Sequence, residues 1–210
     1  MNVFPRRLTQ GYRAFLDGRF KEERGRYATL AESGQSPSIM VIGCVDSRVS
    51  PEVIFDAAPG EILVARNVAN LVPPFEEGGG QHGTSAALEF GVRALKVRHI
   101  VVLGHAFCGG VKAFASEPAP LTKSDFIGKW MSQIAPAADA IPAPGGDRQA
   151  YLHQLEFASV ELSLKNLMSF PFVRAAVEKG ELTLHGAYFG VASGKLLVRD
   201  RETGIFTPVE

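Results

Sequence analysis

The sequence predicts an α/β domain: a central, mostly parallel sheet flanked by helices, with one further helix at its N-terminus. Two observations predict it. Short continuous apolar runs recur at Ile39-Met-Val-Ile42, Ile62-Leu-Val-Ala65 and His99-Ile-Val-Val-Leu103, the pattern of parallel strands covered on both faces. Stretches of helical periodicity separate them, and strand-helix alternation implies a parallel sheet.

Each element follows from local signals. Leu8 to Tyr27 reads as one amphipathic helix, with Tyr12, Phe15, Leu16 and Phe20 at helical spacing among Arg and Lys. Ser36-Pro37 breaks the chain before the first strand, which ends at Gly43-Cys44. Ser50-Pro51-Glu52 offers an N-cap serine, a proline at the first helical position and an acid in the first turn. That helix is expected to end at Pro59-Gly60, before a second strand that ends at Arg66-Asn67. Pro73-Pro74 to Gly78-Gly79-Gly80 is a loop, and Thr84 or Ser85 would cap a helix burying Leu88, Val92 and Leu95. The third strand ends at Gly104-His105, and Cys108-Gly109-Gly110 opens the next helix. Helices are expected from Phe126 to Ala138 and from Tyr151 to Leu167, with a Pro/Gly-rich loop from Ala140 to Asp147 between them. A short helix from Phe172 to Lys179 ends at Gly180, and a hairpin turned at Ser193-Gly194 closes the chain.

Composition narrows the function. At 210 residues, residues 1–210 are expected to form one domain with a sizeable core. The 22 basic residues balance the 22 acidic ones, so nothing calls for nucleic acid or an anionic membrane surface. No apolar run is long enough to span a bilayer. Basic residues near the N-terminus precede no apolar signal core, so the protein is expected in the cytoplasm, with reduced thiols.

The chemistry concentrates in Cys44-Val-Asp46-Ser-Arg48 and His105-Ala-Phe-Cys108, which hold the only two cysteines. Both clusters stand at the C-terminal ends of strands, where sites gather in open α/β sheets. Cys108 also opens a helix, whose dipole favours a thiolate, and Gly109 and Gly110 permit close backbone approach. Two thiols and an imidazole suit zinc, with the fourth position uncertain, as in a catalytic site. Asp46 either fills that position or is held back by a bidentate ion pair with Arg48, leaving the position to water. Each residue has a plainer reading: buried small cysteines, a structural ion pair, a core histidine, or a disulfide between Cys44 and Cys108, which a reducing cytosol disfavours.

Cys44-x-Asp46-Ser47-Arg48 with His105-x-x-Cys108 resembles the zinc signature of the β-class carbonic anhydrases. Pro59-Gly60-Glu61, Arg66-Asn67-Val68-Ala69-Asn70, Gly104-His105, Cys108-Gly109-Gly110, Ser163 to Leu167, Pro171-Phe172-Val173 and His185-Gly186-Ala-Tyr188-Phe189 extend the resemblance along nearly the whole chain. It implies one Zn²⁺ per chain on Cys44, His105 and Cys108, with Asp46 and Arg48 as a gating and orienting pair. It implies reversible hydration of CO₂ to bicarbonate and a proton. Gln35 would hydrogen-bond the anion, with Leu63, Val68 and Phe90 lining an apolar pocket, Phe90 replacing the plant-type tyrosine, and Gly109 also in the substrate-binding set. The family's cleft lies between two chains, so a homodimer or a dimer-based higher oligomer is implied, clasped by the N-terminal helix. Val41 stands where the bicarbonate-inhibited subgroup has tryptophan, which with Gln35 favours the plant-like, constitutively open subgroup. Gly190 replaces the acid usual after the Tyr-Phe pair.

Two other functions fit the same residues. One is hydrolysis of carbonyl sulfide or carbon disulfide, and the other is a zinc-stabilised scaffold without catalysis. The Asp46–Arg48 pair argues against the scaffold, which gains nothing from a retractable ligand. His82 and His99 are the histidines available as proton shuttles, though both also read as surface or strand-end residues.

Overall fold

A computed structural model describes residues 4–78, 80, 82–116, 125–142 and 145–209. Gly79 of the expected glycine loop, and positions 143 and 144 of the Pro/Gly-rich loop, lie outside the described residues. The chain divides into two units, Met1–Ser36 and Pro37–Glu210.

The N-terminal unit is helical, but the single helix expected from Leu8 to Tyr27 is two. Helix α1 spans Arg6–Asp17 and α2 spans Arg19–Ser33, parted at Gly18 where the backbone leaves helical geometry (φ −110°, ψ −103°). Of the expected stripe, Phe15 and Phe20 gather at the bend instead, joined by Tyr27. The ring of Phe15 lies 5.6 Å from Phe20 and 6.0 Å from Tyr27. Neither helix contains a buried residue, and Leu8 and Tyr12 are 56 % and 60 % exposed.

The second unit is a six-stranded sheet in the order β2-β1-β3-β4-β5-β6. The strands are β1 Ile39–Cys44, β2 Ile62–Asn67, β3 His99–His105, β4 Thr183–Phe189, β5 Leu196–Arg199 and β6 Phe206–Pro208. The first four are parallel, as the continuous apolar runs require; β5 and β6 add antiparallel at one edge. Strand β6 has no counterpart in the sequence reading.

Helices α3 Pro51–Ile54, α4 Gly83–Glu89, α5 Gly109–Ala115, α6 Phe126–Met131, α7 Ala135–Asp139, α8 Arg148–Leu167 and α9 Pro171–Glu178 complete the unit. Helix α3 is one turn and stops well before Pro59. Ser50 makes no side-chain cap, because its hydroxyl donates to Glu52 Oε2 at 2.9 Å. Helix α4 follows His82 rather than a capping Thr84 or Ser85, and continues as one π-turn through Ala94. Asp147 caps α8 by accepting from the Ala150 N–H at 3.0 Å.

Side chains alternate across the sheet. Met40, Ile42, Ile100 and Val102 point to one face and form the main core with Leu88, Val160, Leu167 and Val173. A second buried cluster continues from Cys44 through Ala69, Cys108 and Val111 to Met131, Ile134 and Leu155. Both cysteines lie in that cluster.

Candidate metal centre

The topology places the site. From β1 the chain moves outward to β2, then returns to β3 on the other side of β1. Connections leaving β1 and β3 therefore part at their C-terminal ends, which opens a crevice there. Cys44 is the last residue of β1 and His105 the last of β3. Cys108 reaches the same crevice because the chain turns sharply after His105. Phe107 takes a left-handed conformation (φ 59°), at a cost of about 1 kcal/mol or more for a residue with a β-carbon. Cys108 then leads into α5.

The ligand atoms of Cys44, His105 and Cys108 all lie within 4.8 Å of one another, and all three residues are buried. His105 is only 1 % exposed. Its Nδ1 lies 2.9 Å from the Ala106 carbonyl, which leaves Nε2 as the bare nitrogen. That Nε2 is buried with no hydrogen-bond partner. An orphaned buried nitrogen is costly, and a lone pair fixed this way by a carbonyl on the other ring nitrogen is how metal-binding histidines are held. The Ala69 N–H donates to Cys44 Sγ at 3.4 Å. The Cys108 thiol beside it, against the opposing effect of burial, draws the Cys44 pKa well below the ordinary thiol value. Cys108 moves up in turn, through Cys44 and through burial. Two sulfurs and one imidazole nitrogen converging in a buried site fit zinc.

Asp46 stays outside this group. Arg48 Nε donates to Asp46 Oδ1 at 2.9 Å and Nη2 to Oδ2 at 2.7 Å, while the Arg48 backbone N–H donates to Oδ1 at 3.0 Å. Hydrogen bonding from the Arg48 side chain holds the Asp46 carboxyl below the usual carboxylate range. Arg48 Nη2 also donates to the Phe107 carbonyl at 3.1 Å, tying the dyad to the His105–Cys108 turn.

The carbonic anhydrase family model matches residues 39–196. The chain is 37 % identical to beta carbonic anhydrase 3 of Arabidopsis thaliana over 194 residues, covering 90 % of this chain and 74 % of that protein. The chain belongs to the β-class carbonic anhydrases. It is 36 % identical to the Arabidopsis chloroplastic beta carbonic anhydrase 5, covering 87 % of this chain and 60 % of that relative's length. Among solved structures, a β-carbonic anhydrase of Coccomyxa in complex with acetazolamide superposes with a TM-score of 0.81 at 29 % identity, over 99 % of this chain and 89 % of the other. A tetrameric β-carbonic anhydrase of Sordaria macrospora gives 0.80 at 28 % identity, over 99 % of this chain and 100 % of the other.

Of the residues that the carbonic anhydrase resemblance assigns to substrate, Val68 alone packs with the cysteines. It also lines an open cavity of about 540 Å³ with Val45, Pro73 and Trp130. The Trp130 indole N–H donates to the Val68 carbonyl at 2.8 Å. Leu63 packs instead in the main core, and Phe90 is 49 % exposed at the end of α4. Gln35 is exposed and belongs to the N-terminal unit. Gly109 opens α5 with no atom within 4 Å of where its β-carbon would stand. Crowding falls on Gly110, where a β-carbon would meet Val68 Cγ1 at 2.9 Å and Ala69 Cβ at 3.0 Å, and on Gly104, where it would meet Val160 Cγ2 at 2.6 Å.

Two neighbours of the site escaped the sequence reading. Arg66 was noted only as a family residue, yet Nε donates to the Cys44 carbonyl at 2.8 Å and Nη2 to the Asp46 carbonyl at 2.7 Å, pinning the end of β1. Glu156 is buried on α8 and accepts from the Cys108 N–H at 3.0 Å.

Proposed function

We propose that Cys44, His105 and Cys108 hold one zinc ion per chain, and that the protein interconverts CO₂ and water with bicarbonate and a proton. The buried, partnerless Nε2 of His105 facing two thiols carries the metal reading. Family membership carries the reaction. Zinc bound there supplies positive charge that acidifies water and yields a nucleophile near neutral pH.

The chain's own residues do the rest. Arg48 grips both Asp46 oxygens and keeps the carboxylate out of the ligand set. Asp46 has lone pairs left over, and accepts a hydrogen bond from the attacking water, which aims that oxygen at the CO₂ carbon. Val68 and the Trp130 ring beside it offer a non-polar wall for a non-polar gas. Gln35 donates to the bicarbonate anion, a role supported by its sequence position.

The functional unit is a homodimer or a dimer-based oligomer. Within one chain Leu63 packs in the main core and Phe90 is half-exposed, while Val68 packs with the cysteines, and α1 presents Leu8 and Tyr12 without burying any residue. The tetrameric Sordaria relative is consistent with it. The cytosol suits two free ligand thiols. Among the described residues, no helix is long and apolar enough to cross a membrane.

Stopped-flow CO₂ hydration on zinc-quantified protein tests the reading. One zinc per chain is expected, with turnover lost on chelation and restored by zinc alone. A zinc-free preparation, or full zinc without hydration above buffer, overturns it.

We assign the chain to the open subgroup. Val41 is buried with Leu103 and Ala187, so position 41 itself supplies no tryptophan wall for a second bicarbonate. Bicarbonate inhibition is therefore expected to follow a hyperbolic curve, and a strongly sigmoidal one refutes the assignment.

A further inference from the structure

Glu156 is 3 % exposed, and no step of the reaction above uses it. It sits on the buried face of α8 among Leu152, Leu155, Ser159, Val160 and Ser163. Burying a carboxyl group there is costly unless its oxygens are satisfied. Both are. Oε1 accepts the Cys108 backbone N–H at 3.0 Å, and Oε2 accepts the Tyr188 hydroxyl at 2.6 Å. Tyr188 is itself clamped, with the Phe157 ring stacked at 4.2 Å, and its phenol is pushed up by burial and then by Glu156. The Glu156 carbonyl accepts from Ser159 Oγ at 2.7 Å.

The carboxyl group therefore spans from β4 to the main chain of one thiol ligand. Cys108 heads α5, and its N–H has no other partner in the turn. The segment before it contains the left-handed Phe107. The Phe107–Cys108 peptide is held from both sides, its carbonyl by Arg48 Nη2 at 3.1 Å and its N–H by Glu156, so the direction of the Cys108 Cα–Cβ bond depends in part on the acceptor behind it.

We propose that Glu156 is a positioning residue for Cys108: by holding the ligand's amide against the Tyr188 anchor, it sets how tightly the site retains zinc. The proposal rests on the metal reading above. Orienting partners behind metal ligands are typically worth roughly 10- to 100-fold in metal affinity. An acid that merely filled space would affect melting alone.

The test uses intact protein. Zinc per chain is measured first in the wild type, then zinc release to excess chelator in wild type, Glu156→Gln, Glu156→Ala and Tyr188→Phe. The thiolate-to-metal absorption of the cobalt(II) forms is recorded alongside. Glu156→Gln preserves shape and one acceptor oxygen but not the charge, and is expected to release zinc roughly 10-fold faster with a shifted cobalt spectrum. Glu156→Ala is expected to approach 100-fold. Tyr188→Phe should change least, because the Cys108 bond remains. Wild-type release and an unshifted spectrum in Glu156→Gln, beside a zinc-loaded wild type, overturn the role of Glu156 and leave the metal centre standing. A wild type without zinc overturns the metal centre and this proposal with it.

Discussion

Cys108→Ala is expected to fold, to lose stoichiometric zinc, and to hydrate CO₂ no faster than buffer. The residue supplies one of only three converging ligand atoms among the described residues. Its backbone role survives the change, because the bond to Glu156 comes from the main-chain N–H and its φ of −64° suits alanine. The loss of one buried sulfur costs about 1 kcal/mol of stability. Two ligands then remain where three stood, and the Cys44 thiol loses the neighbour that favours its ionisation. Metal analysis with a thermal melt separates the outcomes. A variant that keeps one zinc and full turnover shows that the ligand set is wrong.

Asp46→Asn is the complementary experiment, expected to keep zinc and lose most activity. Asp46 lies outside the ligand group, so the metal should stay. What changes is the hydrogen-bond polarity. Arg48 donates to both carboxylate oxygens, whereas an amide offers one acceptor and turns its NH₂ toward a second donor. The strongly held orientation is lost, and the position facing the nucleophile can no longer accept equally from either oxygen. Removing one oriented polar group of this kind costs roughly 10²-fold or more in turnover. Near-normal turnover at pH 8 with full zinc refutes the orienting role.

The candidate ligands were legible because strands buried on both faces leave an unmistakable apolar run, and the residue after such a run must sit at the sheet edge. Cys44 and His105 both stand there. Glu156 was harder to see, because one acid in a long helix reads as solvated. A signal existed: Leu152, Leu155, Ser159, Val160 and Ser163 place position 156 on the apolar stripe, where an unpaired charge is unfavourable. Gly18 shows the opposite failure. Helical periodicity persists from Tyr12 to Phe20 while the backbone bends between them, so spacing alone joined two helices. Ser50 illustrates a third: a good capping residue found a competing carboxylate, Glu52, two positions away. The division of Leu63, Phe90 and Val68 among different surroundings depends on tertiary packing, which one-dimensional spacing does not encode.

Gly104 and Gly110 bracket the turn that carries His105 and Cys108, and neither has room for a β-carbon. Each is closed by something other than the metal, Val160 at one end and the Val68–Ala69 turn with Met131 at the other. Mutational tolerance in this seven-residue stretch is therefore set twice over, once by chemistry and once by volume. A chain that abandoned catalysis but kept its fold would still need both glycines. Their presence in any such sequence testifies to close packing and says nothing about turnover, whereas Cys44, His105 and Cys108 are the residues whose loss, on the proposed metal reading, would mark an enzyme gone silent.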